Sequence, residues 1–300
     1  MISRIRWKVP IRLAHGSTPL VEIAFPTVAP PPFAVSTGPD IRAEVGNYRL
    51  HLAQTREERD AACRLRFRVF NVELGEGLES SYETGLDTDR FDEFCEHLIV
   101  EDKASRRVVG TYRMQSGATA AQHLGYYSAQ EFDLAPYEPL RPSILELGRA
   151  AIDREHRTPE VLTLLWRGIA QYAHELGLRY LLGCSSLNSC DPAEGWQMYQ
   201  QLQQYRVAAE FMTVPTVAYS CPEEKQDSIA LPDFSQDTAA TAPAAVKVPK
   251  LLKTYLAIGA RIAAPPAWDR EFRTIDFLTL LDLKSLSAAA RNRFLAPLTQ

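Results

Sequence analysis

The central strand of the predicted fold is the apolar run Ser143-Ile-Leu-Glu-Leu-Gly-Arg-Ala-Ala-Ile152. It reads as a buried strand, yet it contains Glu146 and Arg149, and charged side chains are rarely buried unless they are paired. Thr158 and Pro159 follow, a capping residue and a proline typical of a helix start. A carboxylate and a guanidinium on a strand that leads into a helix N-terminus suit acid–base work beside an anion or a thioester.

The spacing of the two charged residues limits how they can act together. Glu146 and Arg149 are three positions apart, which places their side chains on opposite faces of a regular strand. They converge only if a β-bulge lies between them, and Gly148 would permit one. The sequence leaves open whether Glu146 acts in catalysis or is an ion-pair partner of Arg113 or Arg149.

Length and composition indicate a soluble globular protein. The chain has 300 residues, of which 46% are hydrophobic, and a formal net charge of -4, which argues against nucleic-acid binding. Its five cysteines form no CxxC pair, so we expect reduced thiols in the cytoplasm. The histidines lack metal-ligand spacing, and we predict no metal site. No apolar run reaches the roughly 18 residues of a spanning helix, so any membrane contact is expected to be peripheral.

The chain divides into an arm and one domain. Prolines interrupt the apolar clusters of residues 1–46, which predicts an irregular N-terminal arm. Residues 47–300 alternate between strand and helix patterns, which predicts an α/β domain with a mostly antiparallel central sheet flanked by helices. Residues 226–247 are rich in Ala, Pro, Ser and Asp and are predicted to form a flexible excursion.

Short motifs along the chain occur together in one family. They are Arg66-Phe-Arg-Val-Phe70 with Glu73-Leu-Gly75, Asp89-Arg-Phe-Asp92 before His97-Leu-Ile-Val100, Val109-Gly-Thr-Tyr-Arg113, Glu146-Leu-Gly-Arg149 with Arg157, Pro249-Lys-Leu-Leu-Lys-Thr-Tyr255, Pro266-Ala-Trp-Asp269 and Asp276-Phe-Leu-Thr-Leu-Leu-Asp282. In order and spacing they resemble the ornithine-lipid N-acyltransferases, often labelled hemolysin-like, of the GNAT superfamily. They are more distantly similar to the acyl-homoserine-lactone synthases. The resemblance covers most of the chain from about Asn47 onward.

The resemblance implies a fold and a reaction. The fold is GNAT-like, with a sheet splayed open between its middle strands, where a pantetheine arm inserts. The donor is the acyl-phosphopantetheine thioester of an acyl carrier protein, with no bound cofactor. The acceptor is an amino acid, ornithine for preference, which takes a 3-hydroxy fatty acyl group on its α-amine to make lyso-ornithine lipid. An enzyme of this kind is expected in the cytoplasm, peripheral on the inner membrane face.

Glu146 is the candidate catalytic residue, because aminolysis of a thioester needs a neutral amine and a carboxylate is a natural base. Asp89 and Asp92 either bind the acceptor's ammonium group or hold Arg66 and Arg68, and a solvated acidic turn is the alternative. Arg113 is suited to bind the acceptor's carboxylate through two hydrogen bonds, unless it is an edge arginine that reaches solvent. The candidate substrate-binding residues are Arg66, Phe70, Asp89, Asp92, Arg113 and Arg149.

Two departures from the related families refine the expected activity. The Arg154–Glu160 junction has no glycine that would help backbone N–H groups hold the pyrophosphate of coenzyme A, which favours the single phosphate of a carrier-protein arm. The tryptophan that lactone synthases carry after the arginine–phenylalanine motif is missing near Glu76. The alternatives that remain are an N-acyl amino acid synthase with another acceptor, a lactone synthase, and a non-catalytic acyl-binding module.

A docking face for the carrier protein should be basic, because acyl carrier proteins are small and acidic. Lys247, Lys250 and Lys253 are spaced by three around the start of a predicted helix, which places them on one side of it. Ordinary solvated charges are the alternative interpretation of these lysines.

Overall fold

The structure is a computed structural model that describes residues 38–223 and 245–294. Most of the predicted arm of residues 1–46, and most of the predicted excursion near 226–247, lie outside the described residues. The described residues all belong to one compact unit, Phe33–Gln300.

One nine-stranded sheet organises the described residues, with the strand order β1-β2-β3-β4-β5-β6-β9-β7 and β8 also paired with β9. Among these strands the β5–β6 pair is parallel and the other pairs are antiparallel. The predicted α/β class is confirmed. The strands are β1 Arg42–Val45, β2 Tyr48–Leu52, β3 Glu96–Asp102, β4 Arg107–Ser116, β5 Ile144–Ile152, β6 Tyr180–Leu187, β7 Arg261–Ile262, β8 Ala267–Asp269 and β9 Thr274–Asp282.

Helices pack against the sheet through apolar faces. The helix α4 starts with the cap Thr158 and Pro159 that the sequence indicates, and it buries Leu165 and Ile169 in the main core. Gly168 lets α4 lie directly on Leu50 and Leu98. The helices are α1 Arg56–Phe67, α2 Ser81–Thr84, α3 Gly117–Gln122, α4 Pro159–Glu175, α5 Pro192–Gln201, α6 Lys250–Ile258 and α7 Ala288–Phe294.

The sheet starts earlier than predicted, inside the segment expected to be an irregular arm. β1 pairs with β2 in the register Ala43 to Leu50, and Ile41 and Ala43 are buried in the main core. The correction has a physical reason: these two apolar residues alternate with exposed ones, which is the period of a half-buried strand, and the prolines upstream do not interrupt them.

The two middle strands separate partway along their length. Between β5 and β6, pairing runs from Ile144–Tyr180 to Glu146–Leu182 and continues no further in the described strands. The two strands are still in close contact at Gly183, where a side chain would overlap the carbonyl oxygen of Leu147. Beyond this point each strand keeps its outer neighbour, β4 or β9. The sheet is therefore splayed in the middle.

Candidate functional site

A cavity of about 820 Å³ opens where the middle strands separate. Its walls include Leu147–Ile152 of β5 and Leu181–Leu187 of β6, together with Lys247 and part of α6. Volumes of this size accommodate substrates larger than an amino acid. Four of the predicted site residues line it, namely Phe70, Arg113, Glu146 and Arg149.

Glu146 is the buried carboxylate of the cavity wall, 4% exposed. One carboxylate oxygen accepts a hydrogen bond from the backbone N–H of Tyr127 (2.8 Å) and the other from that of Ser128 (2.7 Å). Burial raises the pKa of Glu146, and these N–H groups and the charge of Arg113 oppose the rise. Among the described residues it makes no ion pair with Arg113 or Arg149. A carboxylate held by backbone and poised above its ordinary pKa can accept a proton.

A bulge turns Arg149 toward the same cavity. On β4 the register moves from Thr111 to Arg113 while on β5 it moves from Ala151 to Gly148, so one extra residue lies on β5. A bulge is present, but it lies at Arg149 and Ala150, after Gly148, and not between Glu146 and Arg149 as predicted. Arg149 itself, with φ 47°, takes the left-handed conformation. A non-glycine residue held there is strained, and such strain concentrates at functional sites.

Behind the cavity wall lies a buried ion cluster. Arg66 is 0% exposed and donates to Asp87 (2.7 Å) and Asp92 (2.7 Å). Asp92 also accepts from Arg113 (3.1 Å). The charges of Arg66 and Arg113 hold the pKa of Asp92 well below its ordinary value despite burial. These contacts favour a structural role for Arg66 and Asp92, with Arg68 held elsewhere by Asp153 (3.3 Å).

Asp89 joins this cluster to the cavity. Its two carboxylate oxygens accept hydrogen bonds from Arg113 (2.7 Å) and Arg149 (3.2 Å). The ring of Tyr127 lies under both guanidinium groups, 5.1 Å from that of Arg113 and 4.8 Å from that of Arg149. The two arginines therefore present a fixed pair of cations on the wall, and a carboxylate is the natural ligand of such a pair.

An apolar compartment adjoins these charges. Phe70 belongs to a π-helix, Arg68–Leu74, that continues α1, and π-helical turns are frequent at functional sites. Tyr112 and Tyr255 touch through their hydroxyl groups beside Trp166. This compartment has the chemistry to receive an aliphatic chain. Its further walls are Met114, Leu147, Ile152, Leu162, Leu181 and Leu281.

An acidic compartment lies in the same cavity as Glu146. The sequence analysis did not identify it. Glu131, Asp269 and Asp276 bring one carboxylate oxygen each within 4.8 Å of one another, and all three line the cavity. Glu76 lines it as well, and burial together with the charge of Asp276 raises the pKa of Glu76 to about 7. The available signal was Asp276 in the apolar strand β9, the same pattern that identified Glu146.

The spatial arrangement creates metal-ligand spacing that the sequence lacks. One group, Cys63, Asp92 and His97, has its ligand atoms within 4.8 Å of one another. There the guanidinium groups of Arg66 and Arg113 already bind Asp92, and burial lowers the pKa of His97 to about 4. The other group is the acidic compartment of Glu131, Asp269 and Asp276.

No helix in residues 38–223 and 245–294 combines the length and the apolar character needed to cross a membrane.

Comparison with known proteins places the chain among acyltransferases. A family model described as an acetyltransferase (GNAT) domain matches residues 65–167. The chain is 31% identical to an L-ornithine N(alpha)-acyltransferase of Brucella abortus (strain 2308), over 87% of this chain and 96% of that protein. It is 30% identical to an enzyme of the same name from Agrobacterium fabrum, over 81% and 83% of the two chains.

Solved structures of similar fold include two synthases of acylated products. The AHL synthase LasI aligns with a TM-score of 0.44 and 11% identity, covering 82% of this chain and 93% of LasI. FeeM, an N-acyl amino acid synthase from uncultured soil microbes, aligns with a TM-score of 0.47 and 13% identity, covering 83% and 96%.

Proposed function

The chain belongs to the L-ornithine N(alpha)-acyltransferase family, and from that premise we propose that it transfers a fatty acyl group, 3-hydroxylated in the preferred donor, from a carrier-protein thioester to the α-amine of ornithine. The product is the lyso-ornithine lipid. The observation that carries the proposal is one cavity whose wall joins Glu146 to a pair of arginines and to an apolar compartment, at the point where β5 and β6 separate.

The α-carboxylate and the α-amine of the acceptor suit the two kinds of charge on the wall. Its α-carboxylate would lie at Arg113 and Arg149, which Asp89 and Tyr127 hold in place. Its α-amine would then face Glu146, which takes one proton from the ammonium group, directly or through water. The neutral nitrogen attacks the thioester carbonyl, the C–N bond forms, the C–S bond breaks and the pantetheine thiol leaves with a proton.

Transfer is proposed to be direct, without an acyl-enzyme. Two thiols line the cavity, those of Cys95 and Cys184. Burial raises the pKa of both thiols above the ordinary value, and the charges of Glu131 and Asp276 raise that of Cys184 further. A protonated thiol is a poor nucleophile. The carboxylate of Glu146 therefore has the amine itself to activate.

The donor enters in this proposal along the separated strand edges, with its acyl chain in the apolar compartment. At the junction between β5 and α4, Arg157 lines the cavity and is held by Glu73 (2.5 Å). Lys247 and Lys250 also line the cavity and are exposed, as is Lys253 one turn further along α6. These cations support docking of a small acidic carrier protein at this end.

Peripheral contact with the inner membrane face is part of the proposal, because the product is a lipid. Leu74 (41% exposed) and Leu251 (38% exposed) line the cavity and also reach solvent. Exposed apolar side chains at the exit of a lipid-forming site favour contact with a membrane surface.

The test is an acyl-transfer assay with purified protein, followed by mass spectrometry of N-acylornithine. A 3-hydroxyacyl carrier protein should support transfer to ornithine far better than the matching coenzyme A thioester. The double variant Lys250→Glu with Lys253→Glu should raise the KM for the carrier-protein donor and leave turnover at saturation nearly unchanged. Equal efficiency with both donors would refute the carrier-protein assignment, and acylation of other amino acids but not of ornithine would favour an N-acyl amino acid synthase. A lactone product would indicate a lactone synthase. If no donor releases its thiol, the protein is a non-catalytic acyl-binding module.

A further inference from the structure

Three buried carboxyl groups from three parts of the chain meet in the cavity. Asp276 is on β9, Asp269 ends β8 in register with Thr274, and Glu131 follows a 3-10 turn, Tyr127–Gln130. The exposed fractions are 1% for Glu131, 3% for Asp269 and 4% for Asp276. Burying like charges together lowers the stability of a fold. We therefore look for a role of these three residues other than stabilising the protein.

The group has spare acceptor capacity. In the part of the chain that the structure describes, Glu131 Oε2, Asp276 Oδ1 and Thr274 Oγ1 are buried and lack a hydrogen bond of good geometry. The side chain of Asp276 lies within reach of Glu131, Thr274 and Ser186. Buried polar atoms are normally satisfied. Asp269 is oriented by a turn, since its Oδ1 accepts from the backbone N–H groups of Glu271 and Phe272, both at 2.9 Å.

Burial and charge repulsion favour the protonated forms of Glu131 and Asp276. Burial raises the pKa of Glu131 well above its ordinary value, and the charges of Asp276 and Asp269 raise it further. Burial, and then the charge of Asp269, raise the pKa of Asp276 to about 6. A cation placed among the three carboxyl groups would reverse both shifts and release the bound protons.

The acidic group lies in the same cavity as Glu146 and on the same face of the sheet. In the register of the sheet, Glu146 lies beside Leu182, and Ser186 opposite Asp276. Since Leu182 and Ser186 are separated by an even number of positions on β6, Glu146 and Asp276 are on one face. Ser128 bridges part of the gap, because its backbone N–H donates to Glu146 (2.7 Å) and its hydroxyl group lies 3.5 Å from the sulfur of Cys184.

We propose that Glu131, Asp269 and Asp276 bind the side-chain ammonium group of the acceptor, which makes them the residues that select a diamino acid. The inference deepens the proposed function and rests on it. With the α-carboxylate at Arg113 and Arg149 and the α-amine at Glu146, the side chain extends along the same face of the sheet.

The geometry fits an ammonium ion. An ammonium group has no acceptor and three hydrogen-bond donors, so that each carboxyl group can accept from one donor. Donor–acceptor distances of about 2.8 Å at tetrahedral angles put the three oxygens about 4.6 Å apart, within the 4.8 Å limit of the observed group. A divalent cation needs about six closely spaced oxygens, and one oxygen of Asp269 is already engaged by two N–H groups.

The test compares L-ornithine with L-norvaline, which has the same carbon skeleton without the terminal amine. Initial rates with one carrier-protein donor would be measured in EDTA for the wild type, Asp276→Asn and Glu131→Gln. Glu271→Gln is the matched control, an exposed acid in the turn that orients Asp269. We expect the wild type to prefer ornithine in kcat/KM by on the order of a hundredfold or more. Asp276→Asn and Glu131→Gln should lose most of that preference through ornithine alone, with norvaline changed by less than about threefold.

Each outcome separates the inference from the function on which it rests. If the wild type acylates neither ornithine nor norvaline, the proposed function itself is wrong. Equal use of ornithine and norvaline by the wild type refutes the acidic group as a selector, without any variant. The inference is also wrong if folded Asp276→Asn and Glu131→Gln keep the wild-type preference or lose both substrates in parallel. If EDTA abolishes the activity with ornithine and Mg²⁺ or Mn²⁺ restores it, the acidic group binds a metal ion and not the ammonium group.

Discussion

Glu146 is the side chain on which the proposed chemistry depends, because both its oxygens face N–H donors and its pKa is raised by burial. We expect Glu146→Gln to lower turnover by on the order of a hundredfold, as removal of a general base does. The base must be ionised, so wild-type kcat/KM should fall as the pH falls through the raised pKa of Glu146. The variant should lack that acidic limb. Steady-state kinetics across pH with a saturating donor measures both effects.

Glu138→Gln is the matched control for this variant, since Glu138 bonds to Arg141 (2.8 Å) at an exposed position. It should behave as the wild type does. Turnover close to wild type in Glu146→Gln at every pH would exclude the general-base role.

A carboxylate inside an apolar strand was a sufficient signal for Glu146, and the same signal is present at Asp276 between Ile275 and Phe277. What the sequence could not supply was the partner of each. The sequence leaves open whether Asp89 and Asp92 bind the acceptor or hold Arg66, and the hydrogen bond from Arg66 to Asp92 favours the second interpretation for Asp92. Charge type and spacing identify residues that need partners. Only the tertiary contacts show whether a charged residue is paired within the chain or needs a ligand as its partner.

Gly183 lets the two middle strands stay close just beyond their last pair, Glu146 and Leu182. A β-carbon at this position would overlap the carbonyl oxygen of Leu147, and crowding of this kind costs about 1–3 kcal/mol. We therefore expect Gly183→Ala to lower Tm by several degrees and to reduce transfer activity. Gly148→Ala is the control, since no described heavy atom lies within 4 Å of a β-carbon there. Thermal unfolding of both variants checks this; an unchanged Tm in Gly183→Ala would show that the strands can part elsewhere.

Local patterns predicted most elements and one irregularity. The sequence Thr55-Arg-Glu-Glu58 has the pattern of a capping box, and that capping box is present at the start of α1. A bulge is present on β5, at Arg149 and Ala150. The bulge was expected to use Gly148, but Arg149 takes the left-handed conformation instead, held by Asp89 and Tyr127. The separation of β5 from β6 was known only through the resemblance, because a parallel pair depends on chain segments far apart in sequence.

The acidic group makes the stability of the whole protein depend on pH. Asp276 has a folded-state pKa of about 6, above its ordinary 3.8, so the folded protein binds more protons than the unfolded chain between these values. Stability should therefore fall as the pH rises through this window and stay low above it. Burial also raises the pKa of Glu76 and of Glu131, to which the charge of Asp276 and, for Glu131, that of Asp269 contribute.

Asp276→Asn should raise Tm by a few degrees near about pH 8 and have little effect near about pH 5, where the wild-type group is largely protonated. Ornithine should raise the wild-type Tm at the higher pH, because it supplies the missing positive charge. Calorimetric scans with and without ornithine measure both shifts. A variant less stable than the wild type near pH 8 would contradict the sign worked out here.

The separation of β5 from β6 also leaves two rows of backbone donors and acceptors facing each other inside a sheet. Sheet edges of this kind attract any extended chain, and proteins ordinarily hide them. Here the edges face the cavity, and a slender partner that brings its own amide groups would satisfy them, as the pantetheine arm of the proposed donor would. In that proposal the arm takes the place of a strand, so that each catalytic cycle would complete the sheet and open it again.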